Sequence, residues 1–415
     1  PPRRVLFDMN SMNDGDRVFL RKLCAGMAPP EKARWRRVFD AVASMPKADL
    51  HCHLAGSMRP STLKDLARTV PALDWSYCDA GFGRPVARLI SEGTMGEVTR
   101  LLEYRKSRGS LSDYMLAYSL PKTVLATEQA LERVLFEVCE DAWLEGVRYL
   151  EIRFNPRMLT GSIKIRPYIR ALARGLDSAR ERYPDLEAVL LLSLVKDYDS
   201  AVVEDIVRET LEENARGAVG GRVAGVDSAG NEIGFSAARH ARAFEMARGA
   251  GLAVVCHAGE AFDAVEDGIA MIEDAIALLG ARRIGHGLAA GLGAAGLVGT
   301  ADARGGRYTA ARVKKIEERQ RALRKMLREE NIPVEVCPSS NLHTGNLGSL
   351  AEHPIRVFLA EGVPVAICTD NRWISHTKLS WEVVRTARAL GLELPQVEAL
   401  VRAPFEYRLA RLVRG

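Results

Sequence analysis

The sequence predicts a (β/α)₈ barrel, an α/β fold, from three observations. Eight short apolar segments rich in β-branched residues recur along the chain, and stretches of helical periodicity separate most of them. Strands that alternate with helices in this number are typical of the barrel fold. In nearly every segment the polar residues fall at the C-terminal end, where barrel enzymes place their chemistry. The predicted strand segments are residues 48–54, 147–154, 187–195, 222–230, 252–260, 282–287, 332–341 and 364–371.

Two insertions interrupt the alternation of strands and helices. Residues 55–145 separate the first two segments, which predicts a helical lid over the barrel mouth. Residues 288–331 contain a Gly/Ala-rich loop followed by a basic helix. We therefore expect one barrel domain over residues 45–415, preceded by an N-terminal extension over residues 1–44. Because the chain begins PPRRVLFDMN without an initiator Met, we also expect it to be part of a longer protein.

The composition is that of a globular protein, with 47% hydrophobic and 27% charged residues. No apolar run reaches the roughly 18 residues that a membrane span requires. A net charge of only +5 does not indicate a nucleic-acid partner, and the basic stretch 311–330 has the apolar spacing of an amphipathic helix. The seven cysteines are scattered and form no CxxC motif, so we expect buried thiols in a reduced, cytoplasmic protein.

The segment KADLHCHLAGS contains an HxH pattern at the end of the first predicted strand. Side chains at positions i and i+2 of a strand share a face, so His51 and His53 are neighbours and Cys52 points away. His257 and Asp370 end two other predicted strands and would add a third nitrogen and an oxygen. Three histidines, a carboxylate and a water are a suitable ligand set for one catalytic zinc ion per chain.

Two further polar residues at strand ends are candidates for catalysis. Glu260 lies three residues after His257, where it could take a proton from a metal-bound water and pass it to a substrate nitrogen. His286 stands between two glycines in IGHG, so its imidazole could approach and orient the same water.

Six motifs in sequence resemble those of the adenosine deaminase family of metal-dependent barrel hydrolases. The resemblance covers roughly residues 45–410 and implies a barrel fold and hydrolytic removal of the 6-amino group of an adenine nucleoside. The motifs are PKADLHCHLAGSMRP, RYLEIRFNP, CHAGE, IGHG, VEVCPSSNLHTG and CTDN.

The resemblance also implies a role for each residue of the catalytic site. Glu260 would protonate N1 of the purine as a metal-bound hydroxide attacks C6 and ammonia leaves. His286 would hold the hydroxide. The zinc ligands would be His51, His53, His257 and Asp370.

On the substrate side, the resemblance implies that the backbone N–H of Gly230 meets N3 of the purine. Asn371 replaces an Asp of many family members that bonds N7, and an amide can donate this hydrogen bond without having to be protonated. Ala55 replaces an Asp that contacts the 5′-hydroxyl in many members, so recognition of the sugar end differs here. The apolar residues over the sugar would be Leu111, Tyr114, Met115 and Tyr118.

Other metal-dependent hydrolases fit the sequence less well. Dinuclear barrel amidohydrolases usually need a bridging Lys at the end of the fourth strand, and here that strand ends VDSAG. Cytidine-type zinc deaminases use a PCxxC motif, which this chain lacks. A non-catalytic purine-binding relative would have lost a ligand or the acid, and every one of them is retained.

The sequence leaves the substrate open between a nucleoside and a phosphorylated nucleotide. Adenosine or deoxyadenosine is the first hypothesis. AMP or ATP, in the catalytic part of a larger effector protein, is the alternative, because Ala55 would tolerate a phosphate better than an Asp. The basic insertion would supply cations for that phosphate through Arg304, Arg307, Lys314 and Lys315. We expect a small purine as the partner, without a membrane or nucleic-acid role, and the sequence indicates no oligomeric state.

Overall fold

The computed structural model confirms the barrel. It describes residues 13–105, 109–156, 163–217, 219–344 and 347–412. Eight parallel strands lie side by side in the order of the chain. A bridge between Cys52 and Asp370 joins the last strand to the first, and the Asp370 N–H donates to the His51 carbonyl at 2.7 Å. The strands are β1 Lys47–His53, β2 Val147–Phe154, β3 Glu187–Val195, β4 Val223–Ala229, β5 Ala253–Ala258, β6 Ile284–His286, β7 Val334–Val336 and β8 Val365–Ile367.

Each predicted segment overlaps one of these strands, but the last three strands have only three residues each. The sequence predicts an extended seventh segment up to residue 341, whereas a helix begins at Pro338. Proline fits the first turn of a helix because its fixed φ is helical and its missing N–H would have no helical partner there. The polar residues that follow β7 therefore stand on a helix rather than on the strand.

The described part of the N-terminal extension consists of two helices, α1 Asp14–Leu23 and α2 Pro29–Ser44. The Asn13 side chain caps α1 by accepting from the Asp16 N–H. Phe19 of α1 stacks on Trp381 with ring centroids 4.9 Å apart, so the extension packs on the outside of the barrel.

The described residues between β1 and β2 form six α-helices. The last of them packs against β2 and the following barrel helix, so it belongs to the barrel wall, and the first five form the added part. They are α3 Pro60–Thr69, α4 Ser76–Phe82, α5 Ala87–Glu92, α6 Met95–Leu102, α7 Leu111–Val124 and α8 Glu128–Leu144.

The remaining helices follow their strands around the barrel. They are α9 Ile165–Arg182, α10 Ser200–Asn214, α11 Ala241–Gly249, α12 Val265–Ala277, α13 Ala310–Glu329, α14 Pro338–His343, α15 Ile355–Glu361, α16 Leu379–Leu390, α17 Leu394–Arg402 and α18 Leu409–Leu412. Within the described ranges, no helix is both long enough and apolar enough to cross a membrane.

The basic helix α13 lies on the outer wall of the barrel, against α12. Arg312 pairs with Glu266 at 2.6 Å, and Arg304 in the preceding loop pairs with Asp267 at 2.7 Å. Arg307, Lys314 and Lys315 are exposed. Arg304 therefore has a carboxylate partner in the first turn of α12, and its loop contacts the loop after β5, where the Ala303 N–H donates to the Asp263 carbonyl at 3.1 Å.

Candidate metal centre and active site

The histidines of β1 point into the barrel and the cysteine between them points out. Cys52 is buried in the barrel wall, where its thiol lies 3.2 Å from the Ser57 hydroxyl. All seven cysteines of the chain are buried and none forms a disulfide, in agreement with the thiols expected from the sequence.

Four side chains meet at the C-terminal ends of β1, β5 and β8. The Nε2 atoms of His51 and His257 lie 3.0 Å apart, and that of His53 lies 3.2 Å from each of them. Asp370 Oδ1 is 3.2 Å from His53 Nε2. We call His51, His53, His257 and Asp370 the histidine cluster.

Two carboxylates outside the predicted site fix the tautomers within this cluster. His51 Nδ1–H donates to Glu335 at 2.8 Å, and His257 Nδ1–H donates to Asp227 at 2.9 Å. A carboxylate can only accept, so both Nε2 atoms carry lone pairs that face each other. Such an arrangement is repulsive unless a cation lies between the nitrogens, and it therefore fits a metal ion.

Arg153 joins the two carboxylates. Its guanidinium donates to Asp227 at 3.0 Å and to Glu335 at 2.6 Å. Burial alone would raise the pKa of Asp227, but His257 and Arg153 outweigh it and hold that pKa well below its usual value. Burial, together with Arg153, lowers the pKa of His51, so the imidazole is neutral as a metal ligand must be.

The bonds continue to a second arginine, Arg283, which donates to Glu335 at 2.6 Å and to Glu151 at 3.0 Å. The two arginines and the three carboxylates that they bond are all fully buried. The sequence does contain a signal for it, since charged residues interrupt apolar strand segments such as VRYLEIRF and VEV. We call the set the charge network; it comprises Glu151, Arg153, Asp227, Arg283 and Glu335.

Glu260 follows β5 and is buried beside the cluster, with a carboxyl oxygen 3.7 Å from His286 Nε2. Burial raises its pKa well above the ordinary value, and the charges of Asp370 and Glu232 add to the effect. A carboxyl group with a raised pKa is suited to deliver a proton to a substrate. Glu232, which is not among the predicted site residues, accepts the Gly259 N–H at 2.8 Å and so fixes the turn before Glu260.

Two residues at the strand ends have left-handed backbone, with φ of 66° at His286 and 58° at Asp370. Non-glycine residues rarely adopt this region, and such strain concentrates at functional sites. Gly285 lets β6 approach closely, because a Cβ there would lie 3.1 Å from His51 Cε1.

The predicted purine contacts line the same space. Asn371 is buried directly after Asp370, and its Oδ1 has no hydrogen-bond partner among the described residues. A Cβ on Gly56 would lie 1.8 Å from that oxygen, so only glycine allows the close approach. Gly230 follows β4 with φ of 88°.

The four predicted apolar residues share one face of α7, at helical spacings of three and four. Tyr118 places its ring edge-on to His53, with centroids 6.1 Å apart. The Tyr114 hydroxyl lies 2.8 Å from Ser375 Oγ, near the end of β8. Leu111 and Met115 are half-buried on the same face.

Ala55 and Lys122 lie on the side of the site that is next to His53. Ala55 is buried in a 3₁₀ turn after β1. Lys122 is half-buried, and its ammonium lies 4.8 Å from the centre of the Tyr118 ring. No carboxylate of the described residues lies within ion-pair distance of this ammonium. Burial lowers the pKa of Lys122 to about 8, although the charge of Asp197 opposes the shift.

The model of one protein family, described as adenosine deaminase, matches residues 80–406. The chain belongs to the adenosine deaminase family. An adenosine deaminase from Vibrio vulnificus is 31% identical over 353 residues, which are 84% of this chain and 89% of the relative. Members of this family are metal-dependent hydrolases that deaminate adenine compounds, and the chain is such an enzyme.

Two solved structures extend the comparison. The N6-methyl-AMP deaminase of Arabidopsis thaliana has a TM-score of 0.65 and 25% identity, over 89% of this chain and 94% of that one. An amidohydrolase from Burkholderia ambifaria with bound Zn has a TM-score of 0.66 and 19% identity, over 99% of this deaminase and 95% of that chain. The second likeness is one of fold alone.

Proposed function

We propose that this deaminase converts adenosine and 2′-deoxyadenosine into the inosine products and ammonia, with one zinc ion held by the histidine cluster. The convergence of three imidazole nitrogens and a carboxylate beside a buried glutamate with a raised pKa supports the proposal. A zinc ion bound there would lower the pKa of a water molecule and so supply the nucleophile for C6.

The residues of the chain would do the remaining work. Glu260 would donate a proton to purine N1, which makes C6 more electrophilic. The ionised carboxylate would then take the proton of the hydroxyl group added at C6 and pass it to the amine, which leaves as ammonia. The Asn371 amide would donate to N7 and the Gly230 N–H to N3, and both contacts would orient the ring. The α7 face with Leu111, Tyr114, Met115 and Tyr118 would cover the sugar and exclude water.

A panel of adenosine, 2′-deoxyadenosine, AMP and ATP tests this proposal, with released ammonia and metal content measured on one preparation. We expect turnover of the nucleosides and one equivalent of zinc per chain. Activity confined to nucleotides would contradict the nucleoside assignment. A metal-free active enzyme would contradict the zinc site.

A 5′-phosphorylated adenine nucleotide is the second candidate substrate, and Lys122 favours it. Near neutral pH this residue is a half-buried cation beside Tyr118, next to the side of the site where Ala55 removes an acidic group. A phosphate would supply the charge-assisted partner that this ammonium lacks among the described residues. The relative from Arabidopsis thaliana that is named for N6-methyl-AMP agrees with such a substrate.

Substitution of Lys122 by Met distinguishes the two candidates. If a phosphate binds Lys122, the substitution should raise KM for AMP by about tenfold or more and leave KM for adenosine nearly unchanged. Lys315→Met is the matched control, because Lys315 is exposed on the outer wall. Equal effects on AMP and adenosine would remove Lys122 from phosphate recognition.

A further inference from the structure

A chain of three hydrogen bonds leads from a backbone amide to the imidazole of His286. The Ile355 N–H, at the start of α15, lies 3.1 Å from His353 Nδ1. A backbone amide can only donate, so His353 Nδ1 must offer its lone pair. The direction of the first bond is therefore fixed by covalent chemistry.

The second and third bonds follow from the first. With Nδ1 occupied, neutral His353 carries its proton on Nε2, which lies 3.1 Å from the side-chain oxygen of Asn341. That oxygen must accept, so the Asn341 amide is oriented with its NH₂ toward His286 Nδ1, at 2.9 Å. His286 Nδ1 is then an acceptor, and the ring carries its proton on Nε2.

Burial makes the neutral forms dominant along this chain of bonds. The exposed fractions are 2% for His353, 0% for Asn341 and 1% for His286. Burial lowers the pKa of His353 to about 3. In both rings Nδ1 accepts a hydrogen bond and so carries no proton, which leaves each ring with a single tautomer.

We propose that Asn341 and His353 are positioning residues that hold His286 as an Nε2–H donor aimed at the attacking oxygen. This inference rests on the proposed function for the direction of the reaction, whereas the tautomer itself can be measured without substrate. An N–H donor held in place can stabilise negative charge on an oxygen in front of it without changing its own protonation.

The same tautomer decides between two possible metal sites. His51, His286 and Cys337 also lie close enough together to hold an ion. With the Nδ1 lone pair taken by Asn341 and a proton on Nε2, His286 has no nitrogen left for a metal. Of the two candidate metal sites, only the histidine cluster can then bind an ion through all of its members.

The direct test is Asn341→Asp, with His286 observed by ¹⁵N NMR of histidine-labelled enzyme at neutral pH. In the wild-type protein we expect the His286 proton on Nε2. An aspartate can only accept, so in the variant a proton should appear on Nδ1. We expect kcat to fall by about 10²- to 10³-fold, with little change in KM. Asn214→Asp is the matched control, because the described hydrogen bonds of the Asn214 side chain go to backbone groups of Val223, at the start of β4.

His353 provides a second pair of variants should Asn341→Asp fold poorly. His353→Gln retains an N–H donor for the Asn341 oxygen and should keep the wild-type tautomer and most of the activity. His353→Leu removes the donor, so the Asn341 amide can rotate by 180°. The wild-type tautomer of His286 and most of the activity should then be lost. A wild-type His286 protonated on Nδ1, or unchanged spectra in both Asn341→Asp and His353→Leu, would overturn the proposal. If the wild-type spectra show the His286 proton on Nε2 but the enzyme turns over no purine, the result would instead count against the proposed function.

Discussion

The histidine cluster and the charge network lie next to each other inside one barrel, but their polar groups differ in whether they have partners. In the charge network each arginine bonds two carboxylates, and each carboxylate has at least one arginine. In the histidine cluster the Nε2 lone pairs of His51 and His257 face each other at 3.0 Å. Buried polar groups normally have hydrogen-bond partners, so the facing lone pairs indicate a region that binds a ligand.

The comparison also shows that the two regions depend on each other. Glu335 and Asp227 belong to the charge network and determine which nitrogen of His51 and His257 is free. The hydrogen bonds from the charge network to Nδ1 of each histidine thus keep the Nε2 lone pairs of the histidine cluster free.

Removal of the metal should give the largest effect, because it restores repulsion between the facing lone pairs of the cluster. We expect deaminase activity to vanish after dialysis against a chelator and to return on addition of zinc. We also expect the thermal midpoint of unfolding to fall, since bound metal stabilises only the folded state. Full activity in protein that contains no metal by elemental analysis would show that the cluster is not a metal site.

Glu260→Gln should have the next largest effect, because it removes the transferable proton while keeping the shape of the side chain. We expect kcat/KM for deamination to fall by about 10²- to 10⁴-fold at unchanged metal content. Glu266→Gln is the control, since Glu266 pairs with Arg312 on the outer wall. If Glu260→Gln turned over at the wild-type rate, another group would have to supply the proton.

Arg153→Met tests the charge network. It leaves Asp227 and Glu335 without one of their cations in a fully buried site, so we expect a loss of about 3–5 kcal/mol in the free energy of unfolding. Urea denaturation measures the change. The half-exposed Arg133, which pairs with Asp65 and Glu137, provides the control, and its Met variant should lose less than about 1 kcal/mol. Similar losses of unfolding free energy in the Arg153 and Arg133 variants would mean that the buried network contributes no more to stability than a surface ion pair.

Asp227→Asn tests the connection between the two regions. The amide oxygen can still accept from His257 Nδ1, but the charge that strengthens this bond is gone. We expect metal affinity to fall by about 10- to 100-fold, as measured by competition with a chelating dye. An affinity equal to that of the wild type would limit Asp227 to a role in stability.

The smallest effect is expected outside both regions, at Lys122. Its pKa of about 8 predicts that the cation is present at neutral pH and is lost as pH rises through 8. If a nucleotide is the substrate, KM for AMP should rise over that range by up to about tenfold, whereas KM for adenosine should stay flat. Parallel pH profiles for both substrates would exclude this role for Lys122.

Local patterns were sufficient to predict all eight strands and to identify the strand-end residues His51, His53, His257 and Asp370. A strand alternates its side chains every two residues, and parallel strands bring their C-terminal ends to one rim, so both features can be read along the chain. The sequence also predicts phosphate-binding cations in the basic insertion. Two arginines of this insertion, Arg304 and Arg312, pair with acidic residues of α12, and only the packing against α12 could determine these partners.

The sequence by itself thus determined the barrel, the six family motifs and the residue types that the chemistry needs. Tertiary structure alone decided the partners of those residues. His51 and Glu335 stand 284 positions apart, and the bond between His286 and Asn341 spans 55. Hydrogen-bond direction depends on which donor faces which acceptor in space, and periodicity along the chain carries no information about that pairing.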